Sequence, residues 1–258
     1  MTGVCLQAAF CRIKFSIFCY MSTLREVYDK IAPGRYNFRY YTRFRQELDP
    51  LAARWQKGPP AKGEQERRAG RLLNLGCGHG PDFLPFKSGF ELYGVDFSSV
   101  MLELARQYAE KFDLNVNLVQ ADVSRLPFSD ETFDWAISVA TYHHLESREA
   151  RARAFSELRR VLKPGGEAFI TVWNRWQPWW GGGRGMDTHW FRGKETQVPW
   201  RTGDETLYRY YYFFSYPELE KIARQAGFQV LKSFPESSYR FPLKYFSRNI
   251  CLLAKKSA

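Results

Sequence analysis

Residues 71–173 predict an α/β fold, a mostly parallel sheet with helices on both faces. Three observations predict it. Apolar, strand-like runs alternate with amphipathic helical stretches, the arrangement of a covered parallel sheet. The first run, LLNL, breaks into glycines at alternate positions, LGCGHG. Toward the C terminus two apolar runs follow one another with no helix between them, so they pair antiparallel.

Taken in order, Thr23 to about Trp55 reads as helical, broken at Pro33-Gly34. KGPPAKGEQERRAG (57–70) is a linker of Gly, Pro and charge. Strands follow at Arg71–Leu75 and Glu91–Asp96. Met101, Leu104, Ala105, Tyr108 and Phe112 recur at helical spacing, so Ser98–Phe112 is an amphipathic helix. Asn115–Val119 and Phe133–Val139 are strands, Ser147–Leu162 is a helix stopped by Lys163-Pro164-Gly165-Gly166, and Glu167–Trp173 is a strand. Residues 174–206 show neither period and read as an irregular, tryptophan-rich lid loop. A helix at Tyr216–Ala226 and strands at Phe228–Phe234 and Asn249–Lys255 close the chain. The organisation expected is a helical cover (21–56), the linker (57–70) and one domain (71–258).

The composition is that of a globular protein, 45% hydrophobic, with an unusual 17% aromatic residues. The formal net charge is +11, and residues 1–70 hold 13 Lys/Arg against 6 Asp/Glu, which favours an anionic partner. Five cysteines in no disulfide-like spacing point to a reduced, cytoplasmic setting. The first 20 residues carry Arg12 and Lys14 and are too interrupted for a membrane span. Met21-Ser-Thr-Leu opens directly onto a helix-like segment, so residues 1–20 read as a disordered or non-native extension.

The glycine turn carries the chemistry. Cys77 and His79 lie one residue apart with no second pair at zinc spacing, so a metal is not expected. A dinucleotide fingerprint needs a sixth-position glycine, where this chain has Pro81. What remains is a turn in which Gly76, Gly78 and Gly80 let the backbone approach a ligand without phosphates. Asp96, in GVDFS, ends the next strand where a carboxylate can accept both ribose hydroxyls, and Asp122, in QADVSRLPF, ends the following one within reach of an adenine amino group. Adenosine without pyrophosphate, attached to a flexible tail, is S-adenosylmethionine (SAM).

LLNLGCGHG, GVDFS, ADVSRLPFSDETFDWAISV and LRRVLKPGGEAFITV resemble the successive motifs of class I SAM-dependent methyltransferases. The resemblance implies a Rossmann-like sheet of seven strands, mostly parallel with one antiparallel strand. It also implies a cofactor site of Leu75, Gly76, Cys77, Gly78, Asp96, Phe97, Asp122, Val123 and Ala140.

The acceptor is argued from outside the sheet, because a fold does not determine a substrate. Arg35, Arg39 and Arg43 fall on one helix face if the helix resumes after Gly34, with Tyr36, Tyr40 and Phe44 beside them. Interleaved cations and rings suit a nucleic-acid strand, although taken alone they fit better an ordinary helix with its aromatics in the core and its arginines solvated. Trp173, Trp176, Trp179, Trp180, Trp190 and Trp200 suit a lid over a flat or apolar substrate. His143 or His144, in TYHHL beyond a strand end, can serve as a base or bind an acceptor oxygen.

A narrower likeness is carried by VYDKIAPGRYNFR, SVATYHHL, TVWNRW, VPW and YRYYYFFSYPELE, which are similar to segments of the tRNA wobble-uridine methyltransferases. Those enzymes esterify a carboxymethyl group on uridine. The likeness implies an acceptor site of Tyr28, Arg39, His143, Trp173, Trp200 and Arg209. It implies tRNA as a partner and, from the eukaryotic members, a small zinc-binding activator protein. The chain departs from that family at Gly34 and Tyr212, where histidines are usual. YDKIAP also resembles methyltransferases of quinone precursors, so a small-molecule O- or C-methyltransferase stays open, as does a non-catalytic RNA- or partner-binding subunit.

Overall fold

The computed structural model describes residues 23–36, 40–57, 69–177, 193–203, 205–240 and 242–257, the side chains of 35 and 36 excepted. Two N-terminal helices, α1 (Leu24–Tyr36) and α2 (Arg45–Gln56), precede β1 (Gly70–Leu75), β2 (Phe90–Asp96), α3 (Ser99–Phe112), β3 (Val116–Gln120) and β4 (Phe133–Val139). Next come α4 (Arg148–Val161), β5 (Leu162–Trp173), β6 (Glu195–Thr202), β7 (Glu205–Tyr212), α5 (Tyr216–Gln225), β8 (Phe228–Pro235) and β9 (Asn249–Lys256). Seven strands form one sheet in the order β3-β2-β1-β4-β5-β9-β8, parallel except that β9 runs against both neighbours. This is the class I arrangement expected. β6 and β7 form a separate antiparallel hairpin.

Local chemistry places the helix ends. Ser98 caps α3 by accepting the Met101 N–H at 3.0 Å, and Asp113 ends it in the left-handed region at φ 51°. Ser147 caps α4 in the same way through the Ala150 N–H. Both sheet faces are buried. Leu73, Leu75, Phe133 and Ile170 meet α4 and α5 through Phe155, Leu158 and Leu219. Leu72, Leu92, Ile137 and Phe169 meet α2 and the 3-10 segment Pro81–Phe86 through Leu48, Trp55, Phe83 and Phe86. A third cluster joins α1 (Val27, Tyr28, Ile31, Ala32) to Met101 of α3 and Leu207 of the hairpin, with Trp200 packed against it.

Two expectations are corrected. The first helix is not broken at Pro33-Gly34: α1 runs through both to Tyr36. Its packed face lies before Pro33 and only three residues follow, so the missing N–H costs little. The chain then turns, and Arg43 sits in that turn ahead of α2, so Arg35 and Arg43 do not share one helix face. Phe44 is core and Tyr40 packs edge-on against Phe112. Second, the irregular loop does not extend to 206, because residues 195–202 are strand β6. The sequence signal is Gly203 followed by alternation in ETLYRYYY, which buries Leu207, Arg209 and Tyr211 on one face. Arg39, Trp179, Trp180, Trp190, the first 20 residues and most of the 57–70 linker lie outside the described residues.

Candidate functional site

The C-terminal ends of β1, β2, β3 and β4 meet at one rim, with Leu75 beside Val95, Asp96 beside Gln120 and Asn74 beside Ile137. After β1 the chain turns sharply, and the Gly76 and Cys77 N–H groups both donate to the Val95 carbonyl at 2.7 and 2.9 Å. Gly76, Gly78 and Gly80 have φ of 68°, 54° and 96°. The first two serve different ends. A Cβ on Gly76 would lie 2.3 Å from Thr141 Oγ1, so this glycine admits the segment after β4. A Cβ on Gly78 would meet nothing within 4 Å, so this glycine leaves an open cradle over the rim.

Asp96 closes that cradle. Its carboxylate accepts the Gly78 N–H at 2.9 Å and the Ser98 N–H at 3.0 Å, and it is buried. Burial pushes its pKa up to about 6 against the pull of these backbone donors. Ser98 in turn donates to Asp29, so α1 is tied to the cap of α3 at the site. Asp122 is exposed beyond β3, its Oδ1 accepting the Ser124 N–H at 2.7 Å, and Val123 is buried beside it. Ala140 leaves β4 in the left-handed region at φ 57°, held by its N–H on Thr171. Cys77 is buried, and desolvation raises its thiol well above the ordinary value, so it is an apolar filler rather than a thiolate. His79 packs edge-on to Tyr108.

These residues fit an adenosyl ligand. Gly76 and Gly78 would supply the close backbone approach, Asp96 would offer ribose a buried carboxylate, and Asp122 would be an exposed acceptor further along the rim. Leu75, Cys77, Phe97, Val123 and Ala140 would complete the walls.

Beside the rim the chain gathers a second constellation from four distant segments. Tyr28 of α1 packs edge-on to Phe97, with ring centroids 5.7 Å apart, and its hydroxyl lies 2.7 Å from His144 Nε2. His144 Nδ1 is 2.9 Å from the Tyr210 carbonyl, which can only accept, so Nδ1 carries a proton. In the neutral ring Nε2 then accepts from Tyr28. His143 has the opposite tautomer. The Trp173 N–H donates to its Nδ1 at 3.2 Å, so in the neutral ring the proton sits on Nε2. Tyr211 is the hub, stacking on Trp173 (4.2 Å) and His143 (5.0 Å) and meeting His144 edge-on at 4.4 Å.

Arg209 completes it. The guanidinium lies 4.8 Å from the ring of Trp200, its diagonal neighbour across the hairpin, and 5.3 Å from the ring of Tyr211, two residues on in the same strand. Arg209 is only 5% exposed, its Nε has no hydrogen-bond partner, and among the described residues it makes no ion pair. A buried cation with no counter-charge among the described residues is costly. Of the residues expected around an acceptor, Tyr28, His143, Trp173, Trp200 and Arg209 come together here. The hub Tyr211 and the Tyr28–His144 bond were not foreseen, because both join segments distant in the sequence.

Comparisons with known proteins agree with this geometry. The Methyltransf_11 family, a methyltransferase domain, matches residues 73–170. A methyltransferase of Encephalitozoon cuniculi is 33% identical over 177 residues, covering 66% of this chain and 75% of that protein. An Arabidopsis thaliana protein named tRNA (carboxymethyluridine(34)-5-O)-methyltransferase is 33% identical over 150 residues, 58% of this chain and 32% of its own length. The chain thus spans about a third of that relative. The crystal structure of a SAM-dependent methyltransferase from Clostridium acetobutylicum superposes with a TM-score of 0.66 at 16% identity, covering 90% of this chain and 97% of that one. Sheet order, glycine cradle, family match and a relative shared over three quarters of its length agree: the chain belongs to the class I SAM-dependent methyltransferases.

Proposed function

We propose that this enzyme transfers a methyl group to a carboxylate oxygen, and that its preferred acceptor is a carboxymethyl group on the wobble uridine of tRNA. The observation that carries the proposal is Arg209, a buried cation with no counter-ion among the described residues, stacked between rings of the pocket. The bound cofactor supplies an electrophilic sulfonium methyl group. Gly76, Gly78, Asp96 and Asp122 would hold it at the rim.

The chain's own task is orientation. A carboxylate is already ionised at neutral pH, its reference pKa being about 4, so no base is needed to create the nucleophile. Arg209 can pair with it through two parallel N–H donors and align one oxygen for in-line attack. His143, with its proton on Nε2, is suited to donate to an acceptor oxygen and unsuited to remove a proton. Trp173, Trp200 and Tyr211 offer flat faces for a base and exclude water from the ion pair. The net positive charge suits a polyanionic substrate, and the name of the Arabidopsis relative matches this reading.

The test is to incubate the protein with methyl-labelled SAM and either total tRNA or a metabolite extract, then to digest and fractionate. The expected result is label in one tRNA nucleoside, released as methanol by mild alkali, as an ester requires. Label confined to metabolites, or resistant to alkali, overturns the proposal.

A further inference from the structure

Beyond the pocket, the face where β5 ends differs from the rest of the surface. Asn174 directly follows Trp173 and is buried. Its Nδ2 donates to the Tyr245 carbonyl at 2.7 Å and the Ser247 carbonyl at 2.8 Å, and its N–H donates to the Arg248 carbonyl at 2.9 Å. Its Oδ1 accepts the Trp176 N–H at 3.2 Å. Tyr216 donates to the Lys244 carbonyl and lies 3.1 Å from Ser247 Oγ. This buried polar knot holds residues 175–176 and 244–248 side by side.

What the knot presents outward is aromatic and basic. Trp176 is 42% and Tyr245 is 50% exposed, far more than folding requires of such large rings. The Arg175 guanidinium lies 5.0 Å from the Trp176 ring, and Lys244 Nζ lies 5.7 Å from the Tyr245 ring. Arg240 and Arg248 are exposed nearby in sequence, and residues 239–248 contain no acid. We infer that the surface formed by Arg175, Trp176, Lys244, Tyr245 and Arg248 binds a single-stranded stretch of RNA as it enters the acceptor pocket. The inference rests on the reading of the acceptor as an RNA nucleotide.

Three features favour RNA. Exposed rings beside cations suit unstacked bases and their phosphates together. The positive charge, with no acid among residues 239–248, is complementary to a phosphate backbone. The surface also adjoins the pocket, since Trp173, one residue before Asn174, stacks on Tyr211 and binds His143. A strand lying here would lead toward the pocket, whereas an apolar protein partner would leave the cations unmatched.

The experiment uses the full chain and a fluorescein-labelled oligouridylate, read by anisotropy over a range of salt. Two variants are compared, W176A/Y245A and R175Q/R248Q. The ring variant is expected to bind roughly tenfold or more weakly. The charge variant is expected to lower the salt slope by about 0.7 for each lost phosphate contact. S-adenosylhomocysteine affinity should stay at the wild-type value in both, which reports an intact fold. Oligouridylate binding unchanged in both variants overturns the inference. So does light scattering that shows self-association in the wild type and not in the ring variant, at equal RNA binding. Methylated tRNA with fully active variants removes this surface and leaves the acceptor reading. Lost RNA binding with no label in any RNA removes the acceptor reading and leaves the surface.

Discussion

The glycine rim and the aromatic pocket adjoin but are built from different materials. The rim is backbone: Gly76, Gly78 and Gly80 in left-handed conformations, paired N–H groups on Val95, and a carboxylate held by N–H groups within 20 residues of it in sequence. The pocket is side chain: Tyr28, His143, His144, Trp173, Trp200, Arg209 and Tyr211 arrive from α1, the turn after β4, the end of β5 and the hairpin. A cofactor common to many enzymes can be held by a turn that any neighbouring sequence preserves. An acceptor particular to one enzyme has to be recognised by side chains, which can change one at a time.

Substitutions can break this contrast. The largest effect is expected at Gly76→Ala, where a left-handed φ and a 2.3 Å clash with Thr141 coincide. It should cost about 3 kcal/mol or more of stability, read from the denaturant midpoint, and abolish turnover. Gly78→Ala should cost only about 1 kcal/mol, because its Cβ enters open space, yet still weaken S-adenosylhomocysteine binding in calorimetry. Wild-type affinity in Gly78→Ala would show that the cradle is not the cofactor site.

On the pocket side, Arg209→Met should lower kcat/KM for the acceptor by about 100-fold or more and leave S-adenosylhomocysteine affinity unchanged. It should also raise the unfolding midpoint, since a buried charge with no ion pair among the described residues has been removed. A stable, fully active variant would end the carboxylate reading.

Asp96 offers a smaller, pH-dependent effect. Its folded pKa of about 6 lies above the ordinary aspartate value of 3.8, so the folded state binds the proton more tightly than the unfolded chain. Its ionisation therefore removes stability as pH rises from about 4 to about 6, and the loss is complete above that window. Cofactor affinity should move the other way, falling as pH drops through about 6, because the protonated acid accepts hydroxyls less well. Calorimetry between pH 5 and 8 checks this, with Asp96→Asn as the flat, weak-binding control.

The smallest change is expected at His143→Gln, which keeps kcat within about tenfold, since no general base is being removed. A loss of several hundredfold that rises with pH would instead assign His143 the base and the acceptor a phenol or amine.

The sequence by itself determined the rim. The LGCGHG turn, GVDFS and the apolar strands depend on interactions between residues close in the chain, namely left-handed glycines, caps and period-2 burial, and such patterns are written locally. It also determined the reversed strand β9, because the connection from β8 contains no crossover helix. Only the tertiary structure decided the pocket. Pro33-Gly34 looked like a break and is helix, because packing of Val27, Tyr28 and Ile31 outweighs the lost N–H. The three spaced arginines looked like one face, and the turn before α2 separates Arg35 from Arg43. The tautomers of His143 and His144, and the burial of Arg209 against Trp200 and Tyr211, arise from contacts between distant segments. No local periodicity encodes such contacts, since their energy appears only once the sheet has brought its ends together.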